Sequence, residues 1–252
     1  MDAADIIVIG ESHTDAQGHQ FQVEIIKAAV RRWPGITISL EEFDRAQQAA
    51  LDAYSAGRDT ADDLEALRAF VNLRVRQNWR DWYLPKLEAA REGKAVLIAS
   101  NAPLRYSRLV RNVGCDKLPD LDAAERALFD CPVAPEDPAY RQRFANSLKF
   151  ATANSESGLK PLQTEQIDLM FRAQRVWDAT MAQSVAGARA RNNAKVLHLV
   201  GNVHSDFNGG LLQELRVRDK SARLLVISLR PVRSDRFLPS DRGRADIVVY
   251  TH

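Results

Sequence analysis

The sequence predicts an α/β fold: a central, mostly parallel sheet flanked by helices, with a helical insertion after the third strand. Three observations predict it. Short apolar, β-branched runs alternate with longer segments of helical periodicity. The first such run, Ile6 to Ile9, is closed by Gly10 and reads as a strand buried on both faces of a parallel sheet. From Asn101 to about Pro161 the strand signal stops, and helical pieces alternate with breaks at Pro119, Pro132, Pro135 and Pro138.

The elements follow in order. After the first strand, Thr14 or Asp15 can cap a helix whose face is Phe21, Ile25, Ala28, Ala29 and Arg32, stopped by Trp33-Pro34-Gly35. Ile36 to Leu40 is a second strand. Asp44 can cap the next helix, which ends near Gly57, and Thr60 with Asp63 forms the pattern of a capping box. The segment around Trp79, Trp82 and Tyr83 leads into a helix ending at Gly93, and Ala95 to Ala99 is the third strand. Ala151 to Gly158 reads as a polar loop. Pro161 opens a long helix to about Arg191, with Leu162, Ile167, Met170, Ala173, Trp177, Met181 and Val185 apolar. Lys195 to Val200, Leu224 to Ile227 and Ile247 to Tyr250 are further strands, with a short helix from Gly210 to Arg216 and a charged loop from Arg230 to Arg244. Residues 1–252 make one α/β domain in this reading, and 101–161 make a lid-like helical insertion.

Composition narrows the function classes. The chain has 252 residues, 45% hydrophobic and 27% charged, which is globular and long enough to bury a core without staples. Lys and Arg number 35 against 33 Asp and Glu, a net +2 that argues against a nucleic-acid protein. No apolar run approaches the roughly 20 residues of a membrane span. Cys115 and Cys131 form no CxxC pair, and whether they join each other is left open. Met1 to Asp5 has neither a basic nor an apolar leader region, which predicts a cytosolic protein or a mature form whose leader has been cut away.

One internal echo carries the chemistry. Ile6-Ile7-Val8-Ile9-Gly10-Glu11-Ser12-His13-Thr14-Asp15 matches Leu197-His198-Leu199-Val200-Gly201-Asn202-Val203-His204-Ser205-Asp206. Each is an apolar strand, then Gly-x-x-His, a hydroxyl residue and Asp. Open α/β sheets bind ligands at the carboxyl ends of their strands, and glycine lets the chain turn sharply there. If the strands are neighbours, His13 and His204 face one pocket. Imidazole serves as metal ligand, general base or axial partner of haem iron. Glu41 and Glu42 end the second strand and point in different directions, one to the pocket and the other to solvent or an arginine; Asn101 ends the third. Glu11, His13, Glu41 and His204 thus suit a divalent metal. A single Gly-x-x-His is commonly only a hydrogen-bonded strand end; the matched pair with carboxylates favours a site. His198 reads as a core histidine and His19 as helix surface. Trp79 and Trp82 read as packing. Tyrosine can ligate ferric haem and arginine can pair with a propionate, which brings in Tyr83, Tyr106 and Arg105. Gln174 and Asp178 share a helix face, either buried beneath the site or solvated.

Gly10-Glu11-Ser12-His13, Leu40-Glu41-x-Phe43-Asp44-Arg45, Tyr83-x-Pro85, Asn101-Ala102-Pro103, Ala173-Gln174-x-x-Trp177-Asp178-Ala179-Thr180-Met181-Ala182 and Gly201-Asn202-x-His204 together resemble the ChaN-like haem-binding uptake family of bacteria. They span Ile6 to about Ser205. Glu42 stands where the family usually has Met, and Leu104 where it usually has a second basic residue. The resemblance extends to a wider group with Tiki and TraB proteins and erythromycin esterases. It implies one of two functions. The first is a haem-binding protein of iron uptake, periplasmic or outer-membrane-associated, with His13, Tyr83, Arg105, Tyr106 and His204 around the haem and a homodimer covering its second face. The alternative is a metal-dependent, esterase- or protease-like hydrolase using Glu11, His13, Glu41 and His204 around a divalent ion or an activated water. The closer resemblance favours haem.

Overall fold

The computed structural model describes residues 1–67, 77–153, 162–192 and 195–252. Six strands form one parallel sheet: β1 (Ile6–Glu11), β2 (Thr37–Asp44), β3 (Val96–Asn101), β4 (Val196–Gly201), β5 (Leu224–Arg230) and β6 (Ile247–Tyr250). Their order is β3-β2-β4-β1-β5-β6, so the two strands that carry the echoed motifs are the central pair. Ile6 faces Val196 across this pair and Glu11 faces Gly201. Helices α1 (Ala16–Arg32), α2 (Gln48–Ser55), α3 (Ala61–Ala66) and α4 (Leu84–Glu92) pack on one side of the sheet. On the other side lie α8 (Thr164–Asn192) and α10 (Gly210–Arg218).

Strand alternation sorts the core into these two layers. Ile7, Ile9, Ile38, Leu197 and Leu199 face the α1–α4 layer; Ile6, Val8, Val196, Val200 and Val226 face α8 and α10. Ile6 through Ile9 are wholly buried, and each such side chain contributes about 1.5–3 kcal/mol by leaving water. That fixes the register of β1 against β4 and hence the relative height of the two rim motifs.

The strand and helix boundaries follow local chemistry. Asp15 precedes α1, and Trp33 ends it. Asp44 caps a single 3₁₀ turn, Arg45–Gln47, in a reciprocal box with Gln47 before α2 begins. Thr60 and Asp63 form the capping box predicted for α3. The Trp79–Tyr83 segment is one turn of π-helix that runs into α4. The register between β2 and β3 slips after Leu40, so Glu41 and Glu42 sit in an irregular stretch that turns their side chains apart. At the β3 edge, the Gln48 side chain bridges the exposed backbone: its amide donates to Leu97 O at 3.0 Å and its carbonyl accepts from Ala99 N at 2.8 Å.

After β3 come α5 (Leu104–Val113), α6 (Ala123–Arg126) and α7 (Pro138–Ala153), with irregular chain between them. Cys115 and Cys131 are joined by a disulfide, Cα to Cα 6.1 Å, beside Tyr106, Val110 and Phe129. Ala151 to Ala153 finish α7, and the expected loop at Asn154 to Gly158 lies outside the described residues, as does Pro161. The short helix α9 (Asn202–Ser205) carries the second rim histidine directly off β4. Among the described residues, no helix is long and apolar enough to cross a membrane.

Candidate functional site at the carboxyl ends of the central strands

Glu11 and His13 form the first pair. Glu11 is buried, and its Oε1 accepts from His13 Nδ1 at 2.9 Å. Its Oε2 accepts from the ammonium of Lys86 at 3.2 Å. Burial works to raise the Glu11 carboxyl, but Lys86 and the His13 bond outweigh it and hold it well below the usual range. Burial likewise disfavours charge on His13, yet the Glu11 bond and the nearby Glu41 carboxylate win and raise it to about 9. The His13 side chain remains 26% exposed.

Glu41 and His204 form the second pair. One Glu41 oxygen accepts from Gly201 N, and the other lies 3.4 Å from His204 Nε2. His204 Nδ1 is 2.7 Å from Asp178 Oδ1. Against burial, Asp178 and then Glu41 raise His204 to about 10, while Glu41 is held down at about 2 by its bond to His204 despite burial. Tyr140 Oη donates to Asp178 Oδ2 at 2.8 Å and accepts from Gln174 Nε2 at 3.1 Å. Gln174 and Asp178 are therefore buried beneath the site and not solvated. Gly210 is required here: a Cβ would come within 2.2 Å of Asp178 Oδ2. Tyr140 belongs to α7, so the insertion docks on the second histidine's supports.

The two pairs meet over Gly201. A Cβ on that residue would lie 2.9 Å from His13 Nε2 and 3.5 Å from Glu41 Oε2. Any side chain at this position would press on Nε2, so glycine permits the close approach of His13. Both nitrogens of His204 are engaged by carboxylates, whereas His13 Nε2 makes no hydrogen bond among the described residues. Asn101 is a support: its Nδ2 donates to Glu41 O at 3.0 Å.

The predicted metal set is not gathered as a metal centre. Among the described residues, no group of three or more His, Cys, Asp or Glu side chains is placed to hold an ion. Glu11, His13, Glu41 and His204 instead divide into two carboxylate–imidazole pairs. Three other expectations are corrected. His19 is not on the surface; it is buried against Glu11 and stacks on Trp82 at 5.0 Å between ring centres. Burial and then Lys86 lower it to about 4, so it is neutral. The buried face of α1 is rotated from the one expected, running through Gly18, His19, Gln22, Ile26 and Ala29, with Phe21 left exposed. Glu42 faces neither solvent nor arginine but Lys86 at 3.5 Å, and burial raises its carboxyl. His198 is a core histidine bonded to Ser39 Oγ at 2.8 Å.

Tyr83 is buried, with Lys86 over its ring at 4.4 Å. Burial and then Glu11 push its phenol far above the usual range, which disfavours phenolate. Tyr106 is buried and stacked on Phe129 at 4.8 Å, its hydroxyl 3.0 Å from Arg105 and 3.3 Å from Glu125. Arg105 itself is exposed. Lys86 was not singled out by sequence; the one available sign was a lysine one residue after Pro85 in the first turn of an otherwise apolar helix face.

A layered α/β protein with a buried acid–imidazole array at the carboxyl ends of its central strands is the class defined by this fold and rim. Within that class the chain belongs to the family described as haem-binding uptake, Tiki superfamily, ChaN, which matches residues 1–215. Among solved structures it is similar to ChaN of Campylobacter jejuni, described with cofacial haem binding, at 18% identity and a TM-score of 0.70 over 97% of this chain and 86% of that one. It is also similar in fold to the type III effector HopBA1, at 12% identity and a TM-score of 0.54 over 98% of this chain and 87% of that one. The erythromycin esterase EreC aligns at 18% identity and a TM-score of 0.49 over 90% of this chain and 70% of that one. No curated protein matches the chain.

Proposed function

We propose that this protein binds haem at the rim above Gly201, with His13 Nε2 as the donor to iron, in bacterial haem or iron uptake. The observation that carries the reading is the Glu11–His13–Gly201 arrangement. Ligating histidines generally give their other ring N–H to a carboxylate, which fixes the ring and raises its basicity. Glu11 does this for Nδ1, and glycine at 201 spares Nε2 the Cβ that any other residue would press against it. Bound haem supplies a redox-active, Lewis-acidic iron. The protein's own part is to orient the imidazole, release its proton as the ligand arrives and hold Glu41 away through Gly201 N and His204. Tyr83 and Tyr106 are committed to other contacts, which supports His13 over phenolate. The exposed Arg105 is assigned to a propionate. A second copy covers the haem face that a one-sided site leaves exposed. The Cys115–Cys131 disulfide supports an oxidising compartment, hence a periplasmic or outer-membrane-associated location.

Haemin titration of the purified protein, with metal analysis on the same sample, tests this. A saturable Soret shift at defined stoichiometry is expected. His13→Ala should change the Soret band and weaken binding, whereas His204→Ala should leave the donor in place. Glu11→Gln should weaken haemin binding by about 10–100-fold through loss of the carboxylate behind the ligand. No Soret shift in the unmodified protein, with a tightly held divalent ion instead, overturns the haem reading in favour of a hydrolase.

A further inference from the structure

The echoed motifs do not stop at histidine. Each continues through a hydroxyl residue to an aspartate, Asp15 or Asp206, and both are buried. Neither is part of the array at Gly201. Asp15 stands at the N-cap of α1 but makes no side-chain capping bond. Its Oδ2 instead accepts from the hydroxyl of Thr251, which also lies 2.9 Å from Arg230 O. Gly18 makes room, since a Cβ there would fall 2.6 Å from Asp15 Oδ2.

Asp206 is held from the same part of the chain. Its Oδ2 pairs with the guanidinium of Arg244. Phe207 and Asn208, which follow, both have left-handed backbones, with φ of 54° and 59°. Side chains other than glycine adopt that region at a cost, so two in succession need an external hold. Arg244 provides it: its carbonyl accepts from Phe207 N at 2.7 Å, and its guanidinium lies 4.4 Å from the Phe207 ring centre. Arg244 is fixed in turn by Asp241, 2.8 Å from its Nε. The Asp241 side chain is wholly buried and also binds Arg230 and, at 2.8 Å, the Tyr250 hydroxyl.

We propose that residues 231–252 form a clasp that positions both histidine loops, Thr251 acting through Asp15 on His13 and Arg244 acting through Asp206 on His204. The inference rests on the reading of the rim as the ligand site. Thr251 and Arg244 are positioning residues and touch no ligand themselves. Both lie beyond residue 215, where the family match ends.

Segment-resolved amide exchange on the haem-free protein provides the test, with Thr251→Val and Arg244→Lys as the two variants. Thr251→Val should speed exchange in residues 12–18 by roughly ten-fold, the scale of one hydrogen bond to a charged group, and leave 203–209 unchanged. Arg244→Lys should do the reverse. Thr251→Ser keeps the hydroxyl and should restore the original pattern. With haemin bound, Thr251→Val should move the Soret band, and Arg244→Lys should leave it. Both loops loosening equally in either variant, or neither loosening, overturns the clasp. An unmodified protein that takes up no haemin overturns the haem reading alone, because the exchange pattern is measured without ligand.

Discussion

Lys86→Met is expected to cost about 3–5 kcal/mol of stability at neutral pH, the usual result of stripping one partner from a buried ion pair. Lys86 is 2% exposed and faces Glu11 at 3.2 Å and Glu42 at 3.5 Å. Methionine fills most of the volume, so the loss is electrostatic. The pH dependence is diagnostic. In the native protein Lys86 and His13 hold Glu11 below its ordinary range, so that group's contribution is lost only on strong acidification. Without Lys86, Glu42, which burial already raises in the native protein, rises further, and Glu11 loses the largest influence that offsets its burial. The variant then gains stability as pH falls through the range where Glu42 protonates, and its deficit narrows. Urea unfolding at pH 7 and pH 5 reads this directly; a deficit that is equal at both, or grows on acidification, would show that the lysine acts only by packing.

Asp178→Asn is expected to cost about 3 kcal/mol near pH 6, again the scale of a broken buried pair. Its sign against pH is opposite to that of Lys86→Met. His204 is raised from an ordinary 6.5 to about 10 in the folded protein, first against burial by Asp178 and then by Glu41. The resulting stability is fully present below pH 6.5 and is lost as pH rises through about 10. Removing the Asp178 charge lowers the folded value, so the deficit should be largest in mild acid and shrink in alkali. Thermal or denaturant unfolding at pH 6 and pH 10 would show it. A pH-independent difference would mean that the imidazole is neutral and that the ion pair is absent.

The residues explain why some of this could be read from sequence and some could not. The run Ile6 to Ile9 and its counterpart Leu197 to Val200 mark the central strands because full burial demands apolar residues on both faces. The shared Gly-x-x-His ending places His13 and His204 at one rim once the two strands are neighbours, which the sheet order supplies. Their division into two pairs was not legible, because Glu11 and Glu41 sit at the same rim and only the irregular end of β2 decides which imidazole each meets. His19 and Gln22 look like a solvated helix face, since polar residues usually are. They are buried because α1 covers Lys86, a residue separated from them by more than sixty positions. Lys86 itself gives no periodic sign, as its role arises only when α4 lies beside the end of β1. The disulfide was open for the same reason: Cys115 and Cys131 are brought within reach by the path of the insertion, which no local pattern encodes.

Gln48 bears on how copies of the molecule can meet. The outer edge of a parallel sheet normally offers a ladder of backbone groups to any extended chain that comes alongside. Here one glutamine amide occupies the outward groups of Leu97 and Ala99, imitating the strand that would otherwise dock. A second copy approaching β3 finds its hydrogen-bonding vocabulary already spoken for at those positions. Growth of the sheet sideways is therefore opposed at these two positions of the β3 edge by a single side chain.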